Sequence, residues 1–403
     1  MPHVDGAGVR ARACRSRAAS LAALGMLGMV GLLGTFGTIG CAAAERGEEA
    51  RDAAEPIRAA PNASGAAANA SGVAANASGA AANASAPARD EQGRASSEGD
   101  SDVRITISAV GDCALGDLAG VAGEGSFTAE LAKHADPIAY PFARVRALFA
   151  ADDLTIANLE GTLTNHDGRA NPVFAIRGKP EWAEMLAQGS VELVNLANNH
   201  SHDFGFVGHE DTKRALDRAK VGRFGHGVVD RREVRGVTVV NLGYLGGPQG
   251  TQARVVRDVA REAKPGTIVV VSFHWGIEGS HATAPDQQRL GRAAIDAGAS
   301  LVLGHHPHVL QGIETYRDRH IVYSLGNFVF GAHSQPADMD SLVFQETFHV
   351  RDGKVHAVAE RRVPVRISSS TRRNDFRPTL LEGDEAARVL DKVAKFSASI
   401  PAS

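Results

Sequence analysis

From Val103 onward the chain alternates short apolar runs with stretches of mixed polarity. The apolar runs are rich in β-branched residues and read VRITISAV, DLTIAN, VELVNLA, GTIVVVSF, ASLVLG and HIVYSLG. Runs of this length and composition suit buried strands. The stretches between them follow a helical period and include PFARVRALFA, PEWAEMLAQ, HEDTKRALDRAK and DQQRLGRAAIDAG. Strands that alternate with helices predict an α/β fold with much parallel pairing.

Polar residues of a few types follow these runs, at the point where each predicted strand ends. They are carboxylates, amides and imidazoles: Asp112, Glu160, Asn199, His200, His274, His306, His308 and Asn327. In α/β sheets, binding sites form just beyond the carboxyl ends of the strands. Such residues at so many strand ends predict one shared site.

Several of these residues also have simpler explanations. Asp112 suits a Gly-Asp turn, and Glu160 before Gly161 suits a surface turn. Asn199 and His200 suit a turn made by a side chain bonded to the backbone, and Asn327 suits a turn-forming asparagine. His274 fits such explanations less well, because a histidine at a buried strand end needs a polar partner.

The string HHPH after ASLVLG is the most specific feature of the chain. Side chains alternate along an extended segment, so we expect His306 and His308 on one side, within reach of one metal cluster. His305 then points elsewhere, and we expect it to support the ligands or to serve the structure.

Nitrogen and oxygen donors of this kind suit one or two divalent ions such as Mn, Zn or Fe, and not an ion that prefers thiolates. A carboxylate at a strand end can bridge two ions. Two ions about 3.5–4 Å apart can activate a water and stabilise the leaving oxygen of a phosphoester.

The first hundred residues differ from the rest in composition. Basic residues precede an apolar run over 21–39, which predicts an export signal or an uncleaved membrane anchor. Thr38-Ile39-Gly40-Cys41 resembles the lipobox of bacterial lipoproteins, so residues 1–41 are expected to be a lipoprotein-type signal segment with Cys41 lipidated. Either interpretation places the body of the protein outside the cytoplasm, anchored to the membrane in the cell envelope.

Residues 42–102 repeat the unit NAS every seven residues and then become acidic. Ala, Asn, Ser and Gly cannot bury enough apolar surface to offset the entropy lost on ordering. We therefore expect a disordered tether.

The formal net charge of −3 over 403 residues gives no indication of a nucleic-acid partner. Three cysteines without paired spacing argue against a disulfide framework or a zinc knuckle. Cys113, the one cysteine in the predicted folded body, is expected to be a small buried hydrophobe.

Six motifs occur in order between Ile105 and Phe330: AVGDCALG, IANLEGTLT, VNLANNHSHDFG, VSFHWGIE, LVLGHHPHVLQGIE and VYSLGNFVF. Together they resemble the CapA family of poly-γ-glutamate capsule-synthesis proteins, within the calcineurin-like metallophosphoesterase superfamily. The resemblance implies a four-layer α/β/β/α sandwich over 103–370, in which antiparallel strands near 343–366 complete the second sheet. Residues 371–403 are expected to form a C-terminal extension with an amphipathic helix in EGDEAARVLDKVAKF.

The resemblance also implies roles for individual residues. It implies metal ligands at Asp112, Glu160, Asn199, His274, His306 and His308, with Glu160 in the place of the bridging carboxylate. His200 resembles the superfamily's proton donor, and Asp203 is placed to orient it. The superfamily usually has Asp-x-His at the first position, but residue 114 is Ala here, so one ligand of the first metal is missing. Trp275, Gly276 and Glu278 are typical of the CapA group; Trp275 either forms a wall of the cleft or only packs.

Two functions of different classes follow from the resemblance. The first is a metal-dependent hydrolase that acts on a phosphoester or an amide of an anionic envelope polymer. The second is an accessory that binds or guides such a polymer during capsule assembly without turnover. The polymer or its precursor is the expected partner, together with membrane capsule-synthesis proteins. A basic rim would suit it, with Arg144, Arg146, Arg177 and Lys179 as candidates.

Overall fold

A computed structural model describes residues 103–170, 173–247 and 250–402. The predicted signal segment with Cys41 and the predicted tether over 42–102 lie outside the described residues. Within the described residues, no helix is both long and apolar enough to cross a membrane.

The strands are β1 (Val103–Ala114), β2 (Asp117–Leu118), β3 (Leu154–Leu159), β4 (Thr162–Leu163), β5 (Ile176–Gly178), β6 (Leu193–Asn195), β7 (Gly222–Phe224), β8 (Asp230–Val234), β9 (Val237–Leu245), β10 (Ile268–His274), β11 (Leu301–His305), β12 (Ile313–Tyr316), β13 (Arg319–Val322), β14 (Asn327–Phe330), β15 (Asp340–Arg351), β16 (Lys354–Arg366) and β17 (Thr379–Leu380). The helices are α1 (Phe127–Leu131), α2 (Arg146–Phe149), α3 (Ala183–Gln188), α4 (Gly205–Ala219), α5 (Gly250–Glu262), α6 (Pro285–Asp296) and α7 (Gly383–Ala398), with a 3₁₀ helix at Pro180–Trp182.

Two large sheets carry the fold. The eight-stranded sheet has the order β17-β16-β15-β1-β3-β6-β7, and β14 also pairs with β1. The six-stranded sheet has the order β12-β13-β11-β10-β9-β8. Each sheet contains a run of parallel strands, β1-β3-β6-β7 in the first and β9-β10-β11-β13 in the second. The α/β fold with parallel pairing predicted from the sequence is therefore confirmed.

Strand β10 shows why its sequence is apolar throughout. Ile268 and Val270 belong to a core cluster that also contains Ile107 of the eight-stranded sheet. Val269 and Val271 belong to a different cluster, on the side where α5 and α6 pack. Because side chains alternate along a strand, both faces of β10 are covered and every residue of it is buried.

A further cluster covers the other face of the eight-stranded sheet, where residues of α2, α3 and α4 pack, among them Phe149, Met185 and Leu216. The C-terminal helix α7 buries Val389 and Val393 in the cluster that both large sheets share. The predicted amphipathic helix is present, and its apolar side contributes to the main core.

The chain crosses from one sheet to the other just before β14. The run HIVYSLG was expected to be one strand ending at Asn327, but β13 ends at Val322 and Asn327 begins β14 in the other sheet. In the crossing segment, the Leu325 N–H donates to Gly304 O of β11, and Gly326 O accepts from the Asp112 N–H of β1. A Cβ on Gly111 would lie 2.0 Å from Gly326 O, so only glycine permits this approach.

Sequence periodicity also left some elements out. Strands β8 and β9 and helix α5 were not predicted, and PFARVRALFA forms only the four-residue helix α2. The hairpin of β15 and β16 agrees with the antiparallel strands expected near 343–366.

Glu130 of α1 ties the start of the fold to the segment after β16. Its carboxylate accepts from Arg373 and Lys133, each at 2.8 Å. Burial alone would raise the pKa of Glu130, but the bonds and charges of these two cations lower it to about 2. The lowered pKa means that the interaction stabilises the fold above the ordinary pKa near 4.5, and that this stabilisation is lost as the pH falls toward 2.

We predict that Glu130→Gln lowers the free energy of unfolding at pH 7 by about 1–2 kcal/mol, since both cations are partly exposed and screened by solvent. The difference from wild type should shrink as the pH falls below about 4.5. Urea unfolding at several pH values measures it, with exposed Glu124→Gln as the control. A difference that stays constant down to pH 3 would contradict the assignment.

Candidate metal centre

The site lies where the carboxyl ends of parallel strands from both large sheets meet. Asp112 of β1 pairs with Asn158 of β3, and His274 of β10 pairs with His305 of β11. The Asn158 side-chain amide connects the two sheets: it donates to Asp112 Oδ1 at 2.8 Å and lies 3.3 Å from His274 Nδ1. The position agrees with the expectation from the strand ends.

Asp112 is fully buried and surrounded by donors. Its Oδ2 accepts from the His306 backbone N–H at 3.1 Å and lies 3.2 Å from His308 Nδ1. Burial raises the pKa of this carboxyl, but the hydrogen bond and charge of His308, with the charges of His305 and His274, bring the pKa below its ordinary range. Asp112 is therefore held as a carboxylate.

Glu160 has the opposite surroundings. It is also buried, yet neither of its oxygens has a hydrogen-bond partner. Its Oε1 lies 3.8 Å from His200 Nε2, 3.8 Å from His274 Nε2 and 3.7 Å from His308 Nε2. Burial raises the pKa of Glu160 to about 8, although the positive charge of His308 opposes this rise. A carboxylate that faces three imidazole nitrogens without bonding to any of them leaves room for an ion.

His308 is oriented by two acceptors on one side of its ring. Its Nδ1 lies 3.0 Å from Asn327 Oδ1 and 3.2 Å from Asp112 Oδ2, while its Nε2 faces Glu160. Burial lowers the pKa of His308, but the charges of Glu160 and Asp112 raise it by more. Asn327 thus contacts a candidate ligand. The sequence allowed either this role or that of a turn-forming asparagine.

The geometry predicted for HHPH was wrong, although both histidines do reach the cluster. His306 and His308 have φ values of 95° and 58°, so the segment is not extended. The backbone turns at each of these two residues, and each turn directs its own imidazole toward Glu160. His305 stays in β11, fully buried, with its Nδ1 3.6 Å from Asp112 Oδ1. It lies beside the first carboxylate rather than away from the site.

His200 and Asp203 form the pair expected from the sequence. His200 Nδ1 lies 2.7 Å from Asp203 Oδ2, which also accepts from the Ile176 N–H at 2.7 Å. Burial lowers the pKa of His200, but its bond to Asp203 and the charge of Glu160 raise the pKa above its ordinary value. The ring is fixed with its Nε2 directed at Glu160.

Asn199 lies at the edge of the site. Its Oδ1 is 2.7 Å from His274 Nε2, and an amide oxygen accepts, so this ring nitrogen is the donor of the pair. Burial lowers the pKa of His274 well below its ordinary value, which keeps the ring neutral as a metal ligand requires.

Sequence reasoning missed a buried network of asparagines behind the ligands. Asn158 Oδ1 accepts from the amides of Asn195 and Asn198, at 3.0 and 3.4 Å. Asn198 Oδ1 accepts from the His200 backbone N–H at 3.2 Å. The network thus connects the supports of Asp112, His274 and His200. Each asparagine follows an apolar run in the sequence, which was the available signal.

Position 114 supplies no ligand in this fold. Ala114 is buried in a small apolar cluster with Ile176 and Phe330. Its neighbour Cys113 is also buried, and burial raises the pKa of its thiol to about 12. Cys113 is the packed hydrophobe that the sequence predicted.

A cleft of about 360 Å³ opens beside the candidate ligands Asn199, His274 and His306. Trp275 forms part of its wall, and its indole is also packed, with its N–H donating to Tyr323 O and its ring stacked on Phe273. Both roles weighed for Trp275 therefore apply. Exposed Ile277 lines the same cleft.

The four basic candidates for a rim separate into two places. Arg177 and Lys179 line a cleft of about 330 Å³ next to β5. Arg144 and Arg146 are exposed, at or next to α2. This helix precedes the amino end of β3, whereas the candidate ligands lie beyond the carboxyl end of that strand.

These donors fit a divalent ion. Two ligand groups can be drawn from the described residues, Glu160 with His306 and His308, and Asp112 with Glu160 and His274. Glu160 belongs to both, as a bridging carboxylate would. Buried and unbonded, this carboxylate is costly unless a positive charge compensates it. Imidazole nitrogens and carboxylate oxygens are donors that divalent Zn, Mn or Fe accept.

Residues 106–332 match the sequence profile of the family described as "Bacterial capsule synthesis protein PGA_cap". The chain belongs to this family. The resemblance to the CapA family is thereby confirmed, and with it membership of the metallophosphoesterase-like superfamily.

Three curated relatives illustrate the similarity. The capsule biosynthesis protein CapA of Bacillus anthracis is 31% identical over 248 residues, which are 53% of this chain and 58% of the relative. The PGA biosynthesis protein CapA of Bacillus subtilis (strain 168) is 31% identical over 254 residues, 57% of this chain and 64% of the relative. The "Probable polyglutamine synthesis accessory protein MT0602" of Mycobacterium tuberculosis is 32% identical over 214 residues, 44% of this chain and 56% of the relative. The matched part spans less than two thirds of each PGA_cap-family relative.

We predict that Glu160→Gln removes most of the metal, because Glu160 is the one residue shared by both ligand groups. Elemental analysis after dialysis against Mn, Zn or Fe should give one or two equivalents for wild type and less than about a tenth of that for the variant. Exposed Glu278→Gln, near the site but outside both groups, is the matched control. Full metal content in Glu160→Gln would contradict the assignment.

We predict that Asn158→Leu weakens metal binding about 10–100-fold, because Asp112 and His274 lose the amide that orients them. The free energy of unfolding should also fall by about 1–3 kcal/mol, since buried amide partners are left unsatisfied. Calorimetric metal titration and urea unfolding measure the two effects, with exposed Asn165→Leu as the control. Unchanged affinity would mean that the asparagine network serves packing alone.

Proposed function

We propose that this chain is an envelope-associated protein of capsule or poly-γ-glutamate-type polymer biosynthesis whose site hydrolyses a phosphoester or an amide in that polymer or its precursor. The observation that carries the proposal is the buried Glu160 carboxylate, which has no hydrogen-bond partner and faces the Nε2 atoms of His200, His274 and His308. The printed names of the two Bacillus relatives support the biosynthetic context.

In this proposal, one or two divalent ions would be held by Asp112, Glu160, Asn199, His274, His306 and His308. A divalent ion bound there supplies Lewis-acid activation of water and of the scissile group. The Asp203 carboxylate holds His200 Nδ1, so that His200 Nε2 faces the reacting group and donates a proton to the leaving atom. The cleft beside His274 and His306 admits the bond to be cut.

The proposal extends to architecture and location. Three apolar clusters, one between the sheets and one on each outer face, support a four-layer α/β/β/α sandwich over 103–370. Residues 371–403 are the proposed C-terminal extension, with α7 packed on that sandwich. We further propose that residues 1–41 are a signal segment lipidated at Cys41 and that 42–102 tether the sandwich to the membrane, beside membrane capsule-synthesis proteins.

A second function is favoured by one observation. Ala114 stands where the superfamily usually has a metal-binding histidine, and it lies in an apolar cluster. A site with a reduced set of ligands suits an accessory that binds or guides the anionic polymer without turnover. The relative from Mycobacterium tuberculosis carries the word accessory in its name.

We predict metal-dependent turnover by the full chain supplied with Mn, Zn or Fe. The substrates to test are aryl phosphodiesters, followed by γ-linked glutamate polymers whose cleavage is read by end-group analysis. His306→Ala combined with His308→Ala should abolish turnover and metal binding together, and exposed His166→Ala is the control. A wild type that holds metal yet cleaves none of these substrates, while it binds the polymer, would favour the accessory function.

We predict that His200→Gln lowers kcat by about 10²–10⁴-fold and leaves metal content unchanged, because His200 acts on the leaving group and not on the ion. Asp203→Asn should lower kcat less and keep KM near that of wild type, since it only positions the ring. Steady-state kinetics on one substrate, with metal analysis of each variant, measures both. Loss of metal in His200→Gln would make His200 a ligand.

A further inference from the structure

A second concentration of basic side chains lies outside the metal centre, on α5. Arg254, Arg257 and Arg261 follow one another at helical spacing, while Val255 and Val259 on the opposite side are buried against the six-stranded sheet. The three arginines line a cleft of about 390 Å³ together with Tyr244 and the loop after β7. The sequence did not single out this helix.

The charges of this cleft do not balance. Asp258 is the carboxylate that all three arginines approach, at 3.5 Å from Arg254, 3.1 Å from Arg257 and 3.9 Å from Arg261. The other carboxylate in the cleft, Glu262, is bound by Arg231 through both of its oxygens. One carboxylate shared by three half-exposed guanidinium groups leaves two positive charges in excess.

Exposed imidazoles, whose ring N–H groups can donate to a carboxylate, continue the polar surface from this cleft toward the metal centre. Gly227 lines the cleft beside Arg254, and the preceding residue, His226, lies 2.8 Å from Ser201 Oγ through its Nε2. His202 lies 3.1 Å from the same hydroxyl, with its ring 5.2 Å from that of His226. Ser201 is the neighbour of His200, so the row ends at the proposed proton donor.

The direction of α5 gives this surface its length. Strand β9 ends at the same edge as the ligand-bearing end of β10, with which it runs parallel, and α5 then begins. Arg254 therefore lies nearest the site, and Arg257 and Arg261 follow at successive turns of the helix. We name Arg254, Arg257, Arg261, His226 and His202 the basic track.

We propose that the basic track is a binding site for a carboxylate polymer, which it holds along α5 and leads to the metal centre. An extended polyanion with a charge on every unit suits several cations in a row, since each guanidinium can take a carboxylate with two parallel N–H bonds. A compact anion would need only one end of the track. This inference rests on the proposed function and identifies the polymer-binding surface of that same site.

The experiment compares chain lengths on the full-length, metal-loaded protein. Fluorescence anisotropy gives Kd for a γ-linked glutamate trimer and for a γ-linked glutamate polymer of about 30 units, long enough to cover metal centre and track together. Wild type should bind the polymer at least tenfold more tightly than the trimer, and added salt should reduce this preference.

The test variant combines Arg254→Gln, Arg257→Gln and Arg261→Gln, and its preference for the long polymer should fall to less than threefold. The matched control removes three arginines from turns at the opposite edge of the sheets, as Arg235→Gln, Arg317→Gln and Arg351→Gln, and should keep the preference. Replacing the three track arginines by lysine should retain part of it, because the charges remain while the paired N–H bonds are lost. Unchanged metal content shows that each variant is folded.

Equal preference in the test variant and the control would overturn the basic track and leave the proposed function intact. If metal-loaded wild type bound neither glutamate chain, this would contradict both the proposed polymer and the basic track as its binding site. Tighter binding of an inorganic polyphosphate of equal charge than of the glutamate polymer would overturn the carboxylate assignment.

Discussion

The structure of the site depends on two carboxylates buried at one edge of the sheets, in unlike surroundings. Asp112 is fully supplied with donors, whereas Glu160 has none. Keeping a bare carboxylate away from water costs several kcal/mol unless a positive charge compensates it. The imidazoles that face Glu160, the Asp203 carboxylate that fixes His200 and the asparagines behind them are all arranged around that requirement.

Much of this could be predicted from the sequence because strand ends impose a strong constraint. Parallel strands of one sheet have their carboxyl ends at the same edge, so Asp112 and Glu160 had to approach each other once their runs were strands. His274 ends a strand of the other sheet, and it meets them because the two sheets pack with these edges together. What could not be predicted depends on backbone turns and on lateral neighbours. The positive φ values of His306 and His308, the contact of Asn327 with His308 and the bridging position of Asn158 arise from tertiary packing, which no local pattern records.

Net charge proved a poor guide to the surface for a similar reason. The chain is nearly neutral in sum, and many arginines of the described residues are matched by nearby acids, as Arg231 is by Glu262. On α5 the matching fails because three arginines converge on Asp258. Only the folded arrangement distinguishes such an excess from a solvated helix face, since the acids that neutralise an arginine can lie far away in the sequence.

The crossing segment before β14 restricts how the site can move. The same few residues are hydrogen-bonded to β11 in one sheet and to β1 in the other, with no room for a side chain at Gly111. Sliding of one sheet over the other would break both attachments at once, next to the ligands. These two attachments oppose a shear between the layers beside the site. In the proposed function, the polymer therefore reaches the site through the loops that border the clefts rather than by movement of the sheets.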